Sequence, residues 1–124
     1  MTEPAMTPFR TIGRGAAIPD HFVVPYYLDD LRLRISVARV DGRLYAFDDL
    51  CTCAEGACPL SGGLLADKAI MCQCHGSRFD ITTGAVISGP AKEALTVYEV
   101  QEVEGGIRVR LHGTRPAGTA SALE

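Results

Sequence analysis

Along much of the chain, apolar and polar residues follow the two-residue period of a half-buried β-strand. Leu33, Ile35 and Val37 alternate with Arg34, Ser36 and Ala38. Successive strand side chains point to opposite faces, so one set lies on a core and the other faces water. Asp41-Gly42 follows, a two-residue hairpin signal because both positions tolerate positive φ. A second strand is predicted over residues 43–47. Short strands are predicted over residues 68–72 and 78–81, the latter turning at Thr83-Gly84 into 85–87. Residues 95–103 are rich in Val, Thr and Tyr, as strands are. Glu104-Gly105-Gly106 then turns the chain. Ile107, Val109 and Leu111 alternate with Arg108, Arg110 and His112. No segment sustains a helical period and no internal repeat is visible. With 13 Gly and 7 Pro in 124 residues the chain reads as a turn-rich, all-β protein.

Composition narrows the function classes. A chain of 124 residues fits one domain with one modest core. Hydrophobic residues make up 47% and charged residues 22%, close to ordinary globular usage, which excludes disorder as the main state. The net charge of −3 argues against a nucleic-acid or membrane-surface partner. No apolar run approaches the roughly 20 residues of a membrane-spanning helix. Pro4 and Pro8 break the first residues and no apolar signal-peptide core follows, so a cytoplasmic protein is expected. Residues 1–8 are expected to be flexible and 113–124, small and polar, a disordered tail. The domain would then occupy 9–112.

The cysteines change that plain picture. All five lie between Cys51 and Cys74, in two runs: Cys51-Thr52-Cys53 with Cys58, and Cys72-Gln73-Cys74-His75. A reducing cytoplasm and this crowding make a disulfide scaffold a poor first reading. Two thiol-bearing loops separated by a short segment are a common way to surround a metal.

The residues around these runs resemble a known family. Tyr45-Ala46-Phe47-Asp48-Asp49-Leu50-Cys51-Thr52, then Cys58-Pro59-Leu60-Ser61-Gly62-Gly63, then Cys72-Gln73-Cys74-His75-Gly76-Ser77-Arg78-Phe79-Asp80 is similar to a Rieske-type ferredoxin. Ser88-Gly89-Pro90-Ala91 resembles the family's proline loop. The resemblance implies three small antiparallel sheets with a two-loop cluster-binding subdomain, here at about 48–91. It implies a one-electron carrier on a [2Fe–2S] cluster, with a reductase and a terminal oxygenase or similar enzyme as partners and no catalysis of its own. In the family one iron takes two Cys and the other two His.

The first loop departs from that pattern. It reads Cys-Thr-Cys where the family has Cys-Thr-His. His21 and His112 lie far from the motif in sequence. Two alignments compete. With Cys51 as the usual first cysteine, Cys53 takes the histidine position and two residues are inserted before Cys58. Aligned backwards from Cys58, Cys53 is the usual cysteine, Glu55 takes the histidine position and Cys51 is extra. Soft thiolate suits an iron–sulfur cluster better than carboxylate, which favours the set Cys51, Cys53, Cys72 and His75 over one with Glu55, and a set using Cys58 or Cys74 stays open beside it. The resemblance also accounts for Cys58 and Cys74, since cytochrome bc-type relatives join their cluster loops by a disulfide directly before the second histidine.

A third thiolate adds negative charge, so the potential is expected to fall below that of ordinary Rieske centres, which lie at about −150 to +300 mV. The resemblance gives Ser77 as a hydrogen-bond donor to the cluster and puts Phe79 where high-potential relatives have tyrosine. One titrating imidazole, His75, would govern the pH dependence and face the partner, with Gly76 allowing close loop approach and Pro90 shielding the other side. Leu60, Leu64 and Leu65 could rim the tip or belong to the core. Two readings from other classes compete: a structural zinc module, because Cys₃His is also a zinc set, and a thiol redox switch through Cys58 and Cys74.

Overall fold

The structure, a computed structural model, describes residues 9–52, 58–111 and 113. Eleven strands run in chain order: β1 (Phe9–Arg14), β2 (Phe22–Leu28), β3 (Leu33–Val40), β4 (Arg43–Asp48), β5 (Leu64–Ala66), β6 (Ala69–Met71), β7 (Arg78–Asp80), β8 (Val86–Ser88), β9 (Val97–Tyr98), β10 (Val100–Val103) and β11 (Gly106–Arg110). Three single turns of 3₁₀ helix, at Gly15–Ala17, Asp29–Leu31 and Leu60–Gly62, are the only helical pieces among the described residues. None of these helices is long and apolar enough to cross a membrane.

The strands form three antiparallel sheets, ordered β1-β11-β10, β2-β3-β4-β9 and β5-β6-β7-β8. The three predicted hairpins close, the one at Thr83-Gly84 joining β7 to β8. Asp41 (φ 53°) and Gly42 (φ 83°) turn β3 into β4, and Glu104 (φ 51°) and Gly105 (φ 81°) turn β10 into β11. These are the paired left-handed residues that a tight two-residue hairpin demands.

The β3 alternation has a different meaning from the predicted half-buried strand. Ile35, Ser36, Val37, Ala38 and Val40 are all buried. Ile35 and Val37 enter one core, with Ala46, Ile107 and Val109. Ala38 and Val40 enter a second core from the opposite face, with Phe47, Ile70, Phe79, Ile81 and Leu95. The β2-β3-β4-β9 sheet is thus the middle layer. The β1-β11-β10 sheet covers one face, and the small β5–β8 sheet with its loops covers the other.

Three strands were not legible in the hydrophobic pattern. β2 carries Pro25 in its interior, which reads as a break. It is tolerated because β2 is an edge strand, paired only with β3. β1 contains Gly13 and a register irregularity between Thr11 and Gly13, and β5 is only three residues long. The predicted 95–103 strand is two strands: β9 pairs with β4, and the chain then crosses at Glu99 so that β10 pairs with β11.

Candidate metal centre

Two loops and a support meet on the face of the middle sheet that carries Ala38, Val40 and Phe47. The first loop leaves β4 at Asp49. An isolated bridge pairs Leu50 with Pro59, and the Cys51 N–H donates to the Cys58 carbonyl at 3.0 Å. The intervening residues 53–57, including Cys53 and Glu55, lie outside the described residues, as does His112.

Asp49 anchors this loop. It is fully buried. Its carboxylate accepts from Arg34 Nε at 2.5 Å, Ser36 Oγ at 2.5 Å and the Ser61 N–H at 2.8 Å. Its carbonyl accepts from the Leu60 N–H. One residue therefore holds the start of the loop, its return at Leu60-Ser61 and two neighbouring positions of β3. A carboxylate so far from water is stable only when its oxygens are occupied in this way.

The second loop joins β6 to β7. The Cys72 N–H donates to the Ser77 carbonyl and the Gly76 N–H to the Cys72 carbonyl, each at 2.8 Å. The loop that follows β8 supports both. Its Ala91 N–H donates to Ser77 Oγ at 2.9 Å, and Thr52 Oγ1 donates to the Glu93 carbonyl at 2.6 Å. The Gly89–Pro90 peptide bond in this third loop is cis.

The side chains fall into two groups. Cys51 and Cys72, one from each loop, are buried in the same apolar cluster, with Leu60, Phe79, Ala91 and Leu95. His75 and Pro90 are exposed, Gly76 is half-buried, and Ser77 is fully buried. With an oxygen lone pair engaged by Ala91, the Ser77 hydroxyl can still donate its own proton. A disulfide joins Cys58 to Cys74, their Cα atoms 6.4 Å apart, so the two loops are covalently tied. The sulfurs of Cys58, Cys72 and Cys74 all lie within 4.8 Å of one another. Of the three leucines considered for the rim, Leu60 is core at 0% exposure, Leu65 packs partly buried against the same core, and Leu64 is 63% exposed. Leu60 thus takes the core alternative, with its N–H bonded to the Asp49 carbonyl, and Leu64 stays at the surface.

Sequence reading missed Asp49 as an anchor and Thr52 as a clasp. Asp49 lay inside the quoted motif, but Arg34 and Ser36 read only as the polar positions of an alternating strand. His21, in the turn just before β2, is exposed with its Nε2 3.5 Å from Asp20 and 3.8 Å from Asp41.

The family model for the Rieske [2Fe-2S] domain matches residues 13–99. The chain is 37% identical over 71 residues to the ferredoxin component of the naphthalene 1,2-dioxygenase system of Pseudomonas aeruginosa, a match covering 57% of this chain and 65% of that protein. It is 39% identical over 75 residues to ferredoxin CarAc of Metapseudomonas resinovorans, covering 60% of this chain and 68% of that one. Among solved structures, a chain in the complex of reduced oxygenase and oxidized ferredoxin in carbazole 1,9a-dioxygenase superposes with a TM-score of 0.77 at 27% identity, covering 87% of this chain and 97% of that chain. The Sphingomonas yanoikuyae B1 ferredoxin gives a TM-score of 0.75 at 27% identity, covering 83% and 98%.

Proposed function

The chain belongs to the Rieske [2Fe-2S] domain family, and on that premise we propose that it carries single electrons from a reductase to an oxygenase on a cluster held by Cys51, Cys53, Cys72 and His75. The observation that carries this reading is the split between buried thiols and exposed imidazole. Cys51 and Cys72 sit in one apolar cluster at the base of the two loops, while His75 on the second loop faces water. Two buried soft donors from separate loops suit iron–sulfur ligation. An exposed ligand at the edge gives an electron a short path to a docked partner.

The alignment in which Cys51 is the usual first cysteine is supported by its place in the same buried cluster as Cys72, one thiol from each loop. Cys53 then takes the place of the first-loop histidine. When bound, the [2Fe–2S] group supplies reversible one-electron oxidation and reduction. The chain's residues supply the rest. Asp49 fixes the first loop from beneath, and the Cys58–Cys74 disulfide holds the loops together. Ser77 offers a buried hydroxyl proton to sulfur. Each thiolate carries a negative charge that neutral imidazole lacks, so Cys53 in place of histidine opposes the incoming electron. The potential should lie below the Rieske range and above the roughly −400 mV of plant-type ferredoxins.

This reading draws on the activity named for the naphthalene 1,2-dioxygenase ferredoxin component, of whose length the match spans 65%. Iron and acid-labile sulfide analysis of the purified protein tests it, with Cys53→Ala and Glu55→Ala alongside. Two irons and two sulfides per chain, lost or altered in Cys53→Ala and retained in Glu55→Ala, are expected. Zinc without iron would replace the proposal by a structural metal module, and loss of iron only in Glu55→Ala would reverse the ligand assignment.

A further inference from the structure

The sulfur of Cys72 lies within 4.8 Å of both sulfurs of the Cys58–Cys74 disulfide. Thiolates exchange with disulfides by direct attack on sulfur, and access is a main control on the rate. Cys72 is fully buried, so dissolved thiols reach it poorly. As an internal nucleophile, however, it is held next to the bond, and from this side-on position it needs only a movement of its loop to come into line behind the Cys58 sulfur. No other cysteine is grouped with that bond among the described residues.

We propose that, in the chain before cluster loading or after cluster loss, Cys72 exchanges with this disulfide and moves it from Cys58–Cys74 to Cys58–Cys72. The Cys72 thiolate attacks the Cys58 sulfur, a Cys72–Cys58 bond forms, the Cys58–Cys74 bond breaks, and Cys74 leaves as a thiolate that takes up the proton Cys72 gave up. One disulfide and two electrons' worth of oxidation are present before and after, so neither oxidant nor reductant is consumed.

The direction follows from burial. Cys74 is exposed and Cys58 half-buried. A thiolate is stabler in water than in apolar surroundings, and the better-stabilised thiolate is the better leaving group. Attack on Cys74 would instead expel the less solvated Cys58.

The exchange takes Cys72 out of service as a ligand. A chain in the Cys58–Cys72 form cannot load a cluster until a dithiol reductant opens the new bond. A loaded chain, with Cys72 engaged, keeps Cys58–Cys74. The disulfide that ties the loops is thereby also a latch recording cluster loss, with the exposed Cys74 thiol as its outward sign. This consequence rests on the ligand role proposed for Cys72; the exchange itself rests only on the three sulfurs.

Disulfide mapping tests it. Protein as purified and protein stripped of iron by a chelator, both without added thiols, are alkylated with iodoacetamide and digested with trypsin without reduction. Cleavage after Arg43, Lys68 and Arg78 places Cys51, Cys53 and Cys58 in fragment 44–68 and both Cys72 and Cys74 in fragment 69–78, so the fragment ions of the linked pair also show that the bond is on Cys58. Tandem mass spectrometry then reports which of the latter two is alkylated. The loaded chain should show alkylation at neither, and the stripped chain at Cys74, with Cys58 linked to Cys72. Persistence of Cys58–Cys74 in the stripped chain, with Cys74 unmodified, overturns the proposal. In stripped Cys72→Ser, Cys74 should stay protected; its alkylation there would assign the attack to another thiol and equally overturn it. The wild-type comparison stands if that variant does not fold. Absence of iron and sulfide from the purified protein defeats the electron-carrier reading, and the mapping then decides the exchange by itself.

Discussion

Removing the Asp49 carboxylate should weaken the fold and loosen the first loop together. In Asp49→Ala, Ser36 Oγ and the Ser61 N–H each lose an acceptor, and Arg34 loses its partner. Breaking a buried charged pair from one side costs about 3–5 kcal/mol. The Arg34 side chain is 41% exposed, however, while that of Asp49 is 0% exposed. Arg34 can rehydrate, so its share is discounted. The two remaining donors contribute roughly 1–3 kcal/mol between loss of the bond and desolvation. We expect a total near 3 kcal/mol, against a stability of about 5–15 kcal/mol for a domain. At roughly 4 °C per kcal/mol for a chain of this size, the thermal midpoint should fall by about 12 °C. Asp49→Asn keeps an acceptor for Ser61 and should lose about half as much. Circular dichroism melts give the midpoint. Hydrogen exchange of the Leu60 and Ser61 amides, bonded to the Asp49 carbonyl and carboxylate respectively, shows whether the return of the loop opens with it. Asp30→Asn is the control. Arg10 pairs with Asp30 at the surface, bonding it at 2.9 and 3.0 Å and holding its carboxyl below the usual range, and losing that exposed pair should leave the midpoint in place. A fall of under about 3 °C in Asp49→Ala, with both amides still protected, would refute the anchor.

Tyr26 should be improved by losing its hydroxyl, which is buried without a hydrogen-bond partner among the described residues; Tyr26→Phe should gain about 1 kcal/mol in denaturant unfolding. Burial also raises the Tyr26 phenol above its ordinary value. Its contribution is therefore fully present below about pH 10 and is lost as pH climbs through the raised value, a loss that Tyr26→Phe should remove. Gly84 has φ +90° and a Cβ there would run into the Leu95 carbonyl, whereas Gly105 has φ +81° and open space around it. Gly84→Ala should cost about 3 kcal/mol or more and Gly105→Ala about 1 kcal/mol in the same assay; equal costs would contradict the close approach. Phe79→Tyr offers the cluster a second hydroxyl donor, and a bond of about 1 kcal/mol raises a one-electron potential by about 40 mV. An unchanged potential in film voltammetry would mean that residue 79 does not reach the sulfurs.

Legibility in the sequence followed the physics of each element. The hairpins at Asp41-Gly42 and Glu104-Gly105 were readable because their turn chemistry is local. β3 and β4 were readable because their apolar runs are long, although β3 hid its burial on both faces: Ser36 is polar yet buried, since its hydroxyl is spent on Asp49. β2 was unreadable because Pro25 speaks against a strand until the strand is known to lie at an edge. At the site, Cys51, Cys72 and His75 stood out by residue type and spacing. Asp49 did not, because its role depends on Arg34 and Ser36, 15 and 13 residues away in sequence. The close grouping of Cys72 with Cys58 and Cys74 was equally invisible, being set by how the two loops fold over one core.

The proposed carrier holds its [2Fe–2S] cluster by three thiolates and one imidazole. Pulsed EPR of the chemically reduced protein addresses it most directly, because it detects the cluster's unpaired spin and counts the nitrogens coupled to it. One coupled imidazole nitrogen, lost in His75→Ala or His75→Cys, is the predicted result. Two strongly coupled, coordinated nitrogens, none, or no paramagnetic signal at all would contradict it.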